Sequence, residues 1–507
     1  MAATCGPHPY SIVNGVWVFH FPPYFRSTAR PCYYKHMSRT YFFYDLETSG
    51  LNPRDDRIMQ FAGIRTDEQF NQIGEPYNIL VALNEDTLPS PGALMVTGIS
   101  PQQTVDEGYT EAQFAKIFAE EICTPDTIIL GFNSIRFDDE FIRALLWRNF
   151  YDPYEWAYKD GRSRWDMLDV VRLTRALRPD GINWPVVDGK PVNKLELLSK
   201  ENGLEHAKAH DALSDVEALI GVTKLIAEKQ PQLFQYLLKL RDKKEVAKLV
   251  DVHAPQPFVY ASGRYDAQFN KTTVAWPLAE ADYGNIFVYD LRHDPSGWVQ
   301  KSARELEKII NTPYKERDEN YVKLPVKKLQ FNRAPAVAPL GVLEQSDGWQ
   351  KISLDLKTVE AHRATLQQHP EFARTVAQIL SKKPEFAPLP DAESKLYDGF
   401  VSDRDKLRAE VLRNSNEDEL QKYKPEFTDA RMKELFPRYK ARNFPRLLAS
   451  EERAAYETYR AARIQRQMTP FMKDFQAQSK RTDLSTHQQY ILEELKLWLE
   501  SIMPESE

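Results

Sequence analysis

An α/β domain, then a small β-rich domain, then an all-helical C-terminal domain is the fold the 507-residue sequence predicts. Three observations carry this. Three strand-like segments follow one another early in the chain with no helix between them. From about residue 110 to residue 229, strand and helix periods alternate. Beyond residue 230 short strand-like segments return, and from about 392 onward nearly every segment has helical spacing. At roughly 100–200 residues per domain, the length accommodates three domains.

Each element has a local reason. Residues 40–47 (TYFFYDLE) form a continuous aromatic run ending in acids, the pattern of a buried strand. Residues 57–65 (RIMQFAGIR) read as a second strand. Residues 78–83 (NILVAL) read as a third, after the Gly74-Glu75-Pro76 turn signal. Such a succession favours an antiparallel meander. Residues 110–123 are helical, with Phe114, Ile117, Phe118 and Ile122 on one side. Residues 127–132 (TIILGF) make another strand and 139–149 another helix. After a loop rich in Trp, Tyr and Pro come the helical periods 167–177, 194–201 and 212–229. A meander followed by β/α alternation is an α/β pattern of the ribonuclease-H-like type. Composition shifts near residues 230–232, and 239–248 is basic and helical. Strand candidates lie at 258–260, 272–277, 285–291 and 321–331, a helical stretch at 359–383, and a proline-rich linker, PEFAPLPD, at 384–391.

Residues 1–36 differ from the rest of the chain. They carry Cys5 and Cys32 with many aromatic and proline residues, and neither helical nor strand periodicity is evident. No early Lys or Arg precedes the apolar stretch, so a secretory signal is disfavoured. Met37 stands just before the ordered pattern. The expectation is a poorly ordered extension over 1–38, arising from a start codon assigned too early.

Composition excludes several classes. Hydrophobic residues at 42% and charged residues at 28% fit an ordinary globular protein. Three cysteines without a CxxC pair give neither a disulfide framework nor a zinc site, which fits a reducing cytoplasm. No apolar run approaches the roughly 18 residues of a membrane span. A net charge of −6 excludes a uniformly basic coat but not a basic channel. Residues 431–466 hold ten Lys or Arg against four Glu, a positive surplus suited to a polyanion or an acidic peptide. Aromatic and cationic residues also interleave in RALLWRNFYDPYEWAYKDGRSRW, 143–165, as single-strand binders require.

Three acidic motifs carry the chemistry. Asp45 and Glu47 are two apart on a predicted strand and so share a face. Two carboxylates at the end of a buried strand are costly without a cation, and hard oxygen ligands suit Mg²⁺ or Mn²⁺. Asp138 and Asp139 come after the strand TIILGF where it passes to a helix. One of the two is free to cap that helix while the other binds metal. In HAKAHDALSDVEAL, 206–219, His210 stands five before Asp215. That spacing places His210 on the approach loop and Asp215 on the first helical turns. A His beside an activated water suits a general base, with His206 as its competitor.

DLET, NSIRFDDE and HDALSD, in this order, resemble the DEDD 3′→5′ exonuclease superfamily, in the subtype with a catalytic His. QFAGIRTDEQFNQIGEP, RNFYDPYEW, SRWDMLDVVR, LRPDGINWP, NGLEHAKAHDA, LYDGFVSDRD and KARNFP are similar to the bacterial exonuclease I family over about residues 39–507. The resemblance implies a ribonuclease-H-like exonuclease domain (39–229), an SH3-like β domain (230–385) and a helical C-terminal domain (386–507) closing a channel around single-stranded DNA. It implies two Mg²⁺ ions, replaceable by Mn²⁺, on Asp45, Glu47, Asp138 and Asp215, with Asp45 bridging, and His210 as general base. It implies processive 3′→5′ degradation of single-stranded DNA to 5′-mononucleotides, in DNA repair and recombination, by a cytoplasmic monomer. Single-stranded DNA contacts fall on Glu47, Arg143, Tyr154, Arg172, Lys243, Asn285, Lys327 and Asn332. Lys194 replaces a family Arg and loses bidentate geometry, and Tyr158 replaces a Trp. The acidic tail of single-stranded DNA-binding protein would meet Lys440 and Arg442.

Overall fold

The computed structural model describes residues 10–13, 16–19, 39–204, 212–382 and 391–503. The chain divides into two units, Met1–Ser38 and Arg39–Glu507. In the first, β1 (Tyr10–Val13) pairs antiparallel with β2 (Val16–Phe19). No strand was expected there. The signal passed over is the Asn14-Gly15 dipeptide between two β-branched and aromatic runs, the strongest short-range hairpin cue. Cys5 and Cys32 lie outside the described residues.

The second unit is built on a five-stranded sheet: β3 (Thr40–Thr48), β4 (Ile58–Thr66), β5 (Tyr77–Leu80), β6 (Thr127–Gly131) and β7 (Ser163–Asp166), in the order β5-β4-β3-β6-β7. β3, β4 and β5 form the expected antiparallel meander. β6 then joins β3 in parallel, and β7 joins β6 in parallel. β3 is therefore central and covered on both faces. Phe42 and Tyr44 pack with Phe61, Phe114 and Phe118 on one side, and Tyr41 and Phe43 with Val216, Leu219 and Trp165 on the other. Burial on both faces is why its aromatic run is continuous rather than alternating. β7 was missed because Ser163 and Arg164 give it a polar start inside the Trp/Tyr-rich loop. A short ribbon of β8 (Val186–Val187) and β9 (Lys190–Pro191) comes next.

The second sheet holds β10 (Phe258–Ala261), β11 (Thr272–Glu280), β12 (Ile286–Asp290), β13 (Val326–Leu329) and β14 (Val337–Pro339), all antiparallel, in the order β13-β12-β11-β10-β14. The strand expected over 321–331 is only β13. Pro325, which lacks a backbone donor, stands just before it. The helix expected over 239–248 is two helices, Pro231–Lys239 and Lys243–Leu249, the second capped by Asp242, whose carboxylate accepts from Lys244 N at 2.9 Å. The helix expected over 359–383 is likewise Leu356–Gln368 and Pro370–Ser381. Pro370 disfavours helical backbone at His369 and restarts the helix. The linker expected at 384–391 lies outside the described residues except for Asp391.

From Asp391 the described chain is helical as expected, with Ala430–Asn443, Ser450–Ser479 and Thr486–Ile502 the longest members. Ile464, Phe471, Ile491, Leu495 and Trp498 pack against Met59, Leu83, Leu94 and Met95 of the first sheet's surroundings. Beside this apolar seam lies a buried ionic one. Arg57 donates to Glu393 at 2.8 Å, and Arg442 pairs with both Asp86 and Glu393. Arg463 donates to the Asp86 carbonyl at 2.9 Å, and Arg148 to Glu111 at 2.6 Å. Each of these charges would be costly alone; together they leave the domain seam close to neutral.

Candidate active site

β3 delivers Asp45 and Glu47 to one face, opposite Ala62 and Gln60 of β4, just before a register shift at Glu47/Thr48. Gly50 comes at once after it. A Cβ there would come within 2.4 Å of Asp56 Oδ2, so only glycine lets the departing loop lie this close. Asp215 enters from the first turn of the helix Ala212–Lys229, which is held over β3 and β4 by Val216, Leu219 and Val222. Ligand atoms of Asp45, Glu47 and Asp215, all half-buried, lie within 4.8 Å of one another. Sequence positions 45 and 215 thus meet in one acidic pocket.

Asp138 and Asp139 separate cleanly. Both are buried on the first turn of the helix Asp138–Arg148, and neither caps it: the capping position is Phe137, with no side-chain bond. Asp139 accepts from Tyr44 Oη at 2.6 Å and pairs with Arg164. Asp138 stands outside the close trio, yet its charge acts on Asp45 more strongly than that of Glu47 or Asp215. Burial first, then these three neighbours, hold the Asp45 carboxyl well above the ordinary carboxylate range; burial does the same for Asp138. This is the signature of a site with too much negative charge, which a divalent cation with oxygen ligands would relieve. His206 and His210 lie outside the described residues.

Three residues that support the site were not anticipated. Tyr44 and Arg164 fix Asp139. Asp166 accepts from the backbone N–H groups of Asn133 at 2.9 Å and Leu168 at 3.0 Å, tying the turn before Asp138 to the start of the helix Met167–Leu177. Burial and the charge of Asp169 raise its carboxyl to about 7. An Asp directly before a helical period was the available cue for this cap.

The remaining expected residues fall into groups. Arg143 pairs with Glu140 at 2.7 Å, donates to Tyr397 Oη at 3.3 Å and lies over the Tyr154 ring at 5.8 Å, next to Phe400, which is 90% exposed. Tyr158 is 64% exposed. Arg172 pairs with Asp169 at 2.5 Å, and Lys327 donates to Ser262 Oγ. The Asn332 carbonyl accepts from Arg164 at 3.0 Å, linking the second sheet's domain to the Asp139 pair. Lys194 and Lys243 are exposed at the starts of helices. Asn285 uses its amide to close its own turn on the Asp282 carbonyl at 2.8 Å. Lys440 pairs with Glu452 at 2.7 Å. Arg442 requires correction as a partner contact: at 5% side-chain exposure it is committed to Asp86 and Glu393 and presents no free surface charge.

Comparison with known proteins agrees with this geometry. Residues 42–223 match the family described as Exonuclease, 241–382 the Exonuclease I SH3-like domain, and 390–502 the Exonuclease I C-terminal domain. The fold and the acidic pocket define a nuclease of the exonuclease class, a hydrolase that uses divalent metal. Exodeoxyribonuclease I of Haemophilus influenzae is 40% identical over 441 residues, 86% of this chain and 93% of that protein; the Escherichia coli protein is 37% identical over 83% and 89%. The structure of E. coli exonuclease I in complex with a dA16 oligonucleotide superposes with a TM-score of 0.88 at 34% identity, covering 92% of this chain and all of that one. Exonuclease I of Methylocaldum szegediense gives 0.86 at 37% identity with the same coverage. The chain belongs to the exonuclease I family.

Proposed function

We propose that this chain degrades single-stranded DNA processively from the 3′ end and releases 5′-mononucleotides. The observation that carries the reading is the meeting of Asp45, Glu47 and Asp215 within 4.8 Å, with Asp138 beside them. These four carboxylates would hold two Mg²⁺ ions, or Mn²⁺ in their place. When bound, such ions supply charge neutralisation and Lewis acidity for an in-line displacement at phosphorus. Asp45 is suited to both ions because Asp138, Glu47 and Asp215 all act on its carboxyl. His210 takes the proton of the attacking water, a role resting on its place five residues before Asp215.

Binding falls to the cations and aromatics around the site. Arg143, Arg172, Lys194, Lys243 and Lys327 track the phosphate backbone, helped by Glu47, Asn285 and Asn332, while Tyr154 and Tyr158 offer faces to bases. Domain borders near 39, 230 and 386 give a catalytic, an SH3-like and a helical module, and a strand threaded between them would stay engaged between cuts. The acidic tail of single-stranded DNA-binding protein would dock on the 431–466 segment through exposed cations such as Arg446, with Lys440 exchanging its Glu452 partner. Among the described residues no helix is long and apolar enough to cross a membrane, and we place this enzyme in the cytoplasm as a monomer serving DNA repair.

Labelled DNA and RNA single strands of one sequence, digested side by side with Mg²⁺, test the reading. DNA should shorten from its 3′ end to mononucleotides while Asp45→Ala leaves it intact but bound in chelator. RNA consumed equally fast, or a variant as active as the wild type, overturns it.

A further inference from the structure

The turn that carries Tyr154 and Tyr158 is only partly backed by its own domain. Trp156 anchors its middle: it is buried, and its ring meets Phe118 edge-on at 5.7 Å. Behind the rest lies a cavity of about 580 Å³, whose walls include Tyr151, Asp152, Glu155, Leu407 and Arg413. A segment with few packed neighbours behind it needs polar ties to stay in one place. The helical domain supplies them across the gap. Asp152 Oδ1 accepts from the backbone N–H groups of Tyr154 at 2.8 Å and Glu155 at 3.1 Å, which starts the single turn Glu155–Ala157. The other oxygen, Oδ2, pairs with Lys406 Nζ at 2.7 Å, and Glu155 Oε1 pairs with the same ammonium at 3.3 Å. Lys406 stands on the helix Asp403–Asn414. Nearby, Tyr154 Oη donates to the Leu396 carbonyl at 3.4 Å, and its ring lies 5.9 Å from that of Phe400. Lys159 also pairs with Glu155, at 2.7 Å, but it belongs to the same loop and ties the turn only to itself.

We propose that Lys406 is a positioning residue for strand binding: it acts through Asp152 and Glu155 to hold the turn bearing Tyr154 and Tyr158, so that the helical domain sets the enzyme's hold on the strand. The proposal rests on the reading of the chain as a single-strand DNA exonuclease and concerns retention of the strand, not bond cleavage. Without that ammonium the turn keeps Lys159 but loses its ionic tie to the helical domain, and the cavity leaves it room to shift. Two aromatic faces that wander bind bases less well than two held in place, because ordering them is then charged to the binding step. The strand is released sooner, while the acidic pocket on β3 is untouched.

The test is digestion of a labelled oligothymidine by the full chain with Mg²⁺, read as KM, as the rate at saturating oligonucleotide, and as the length removed before release into an excess of unlabelled strand. Lys406→Met should raise KM by about three- to fivefold, the size of a partly exposed ion pair, and shorten the length removed by the same factor. Its rate at saturation should match the wild type. Lys406→Arg, which keeps the charge, should restore most of the loss. Asp152→Asn keeps an oxygen for the two N–H groups and removes the charge that faces Lys406, so it should reproduce Lys406→Met, and the double variant should be no worse than either single one. It carries the same test if Lys406→Met folds poorly. Wild-type KM and run length in both single variants, a loss confined to the saturating rate, additive losses in the double variant, or no rescue by Lys406→Arg overturn the proposal while leaving nuclease function standing. A wild type that does not degrade single-stranded DNA overturns the underlying reading instead.

Discussion

Replacing Asp45 by Asn should make the metal-free protein more stable and the metal-treated protein inactive. Three carboxylates have oxygens within 4.8 Å of one another. Two unit charges at that distance repel by about 3.5 kcal/mol at an effective dielectric near 20. Asp45 takes part in two of the three pairs. The groups are half-buried, so solvent screens part of this repulsion, and proton uptake relieves more. A net gain of about 1–2 kcal/mol for Asp45→Asn in chelator is the discounted expectation. Because the Asp45 carboxyl is held above its ordinary value, the folded state binds more protons than the unfolded one above about pH 4. Wild-type stability in chelator therefore falls as pH rises from there through the raised value, and Asp45→Asn flattens that fall. Adding Mg²⁺ at about a hundred times its dissociation constant should stabilise the wild type by about 2.7 kcal/mol and the variant by much less. Thermal unfolding followed by fluorescence, with chelator and with Mg²⁺, reads both effects. A variant less stable than the wild type in chelator, or one with an undiminished Mg²⁺ shift, would refute the charge-repulsion account of this pocket.

The two neighbouring acids should respond differently. Asp138→Asn should cost activity by a hundredfold or more without destabilising the metal-free fold, since it too relieves like-charge repulsion, whereas Asp139→Asn should destabilise by about 1–3 kcal/mol by unpairing Arg164 and Tyr44, as activity assays and denaturant melts would record. His210→Ala should remove the acidic limb of the pH–rate profile that a neutral base requires; a variant retaining the wild-type profile takes His210 out of the reaction. Glu393→Ala removes the carboxylate that Arg57 donates to and one of the two that Arg442 pairs with, and should cost about 3–5 kcal/mol, seen as early unfolding on heating.

How much of this was legible in the sequence varies with the range of the interaction. The acidic motifs were, because strand period alone pairs Asp45 with Glu47, and a helical start after a strand presents Asp138. The division of labour between Asp138 and Asp139 was not. It depends on Arg164, from a strand whose polar start hides it, and on a tyrosine inside the aromatic run of β3. Local breaks were missed where one or two residues carry the cue: Pro370, which splits one helix, and the Asn14-Gly15 dipeptide lying in sequence between the two paired strands Tyr10–Val13 and Val16–Phe19. Arg442 misled for a different reason. A cation in a basic segment reads as surface charge, and only Asp86 and Glu393, remote in sequence, reveal it as buried.

The same buried ionic seam reaches the acidic pocket. Arg57 opens the approach to β4, and its backbone N–H donates to Ser49 Oγ at 2.9 Å, two residues beyond Glu47. Its guanidinium meanwhile reaches Glu393 of the helical domain. On the other side Asn332, beyond β13, accepts from Arg164, which pairs with Asp139 next to Asp138. Each appended domain therefore touches one flank of the acidic pocket through one arginine. A pocket of like charges gains nothing from its own side chains to hold it closed, so rigidity must come from outside it. These two arginines supply it, which gives the SH3-like and helical domains a part in positioning the carboxylates.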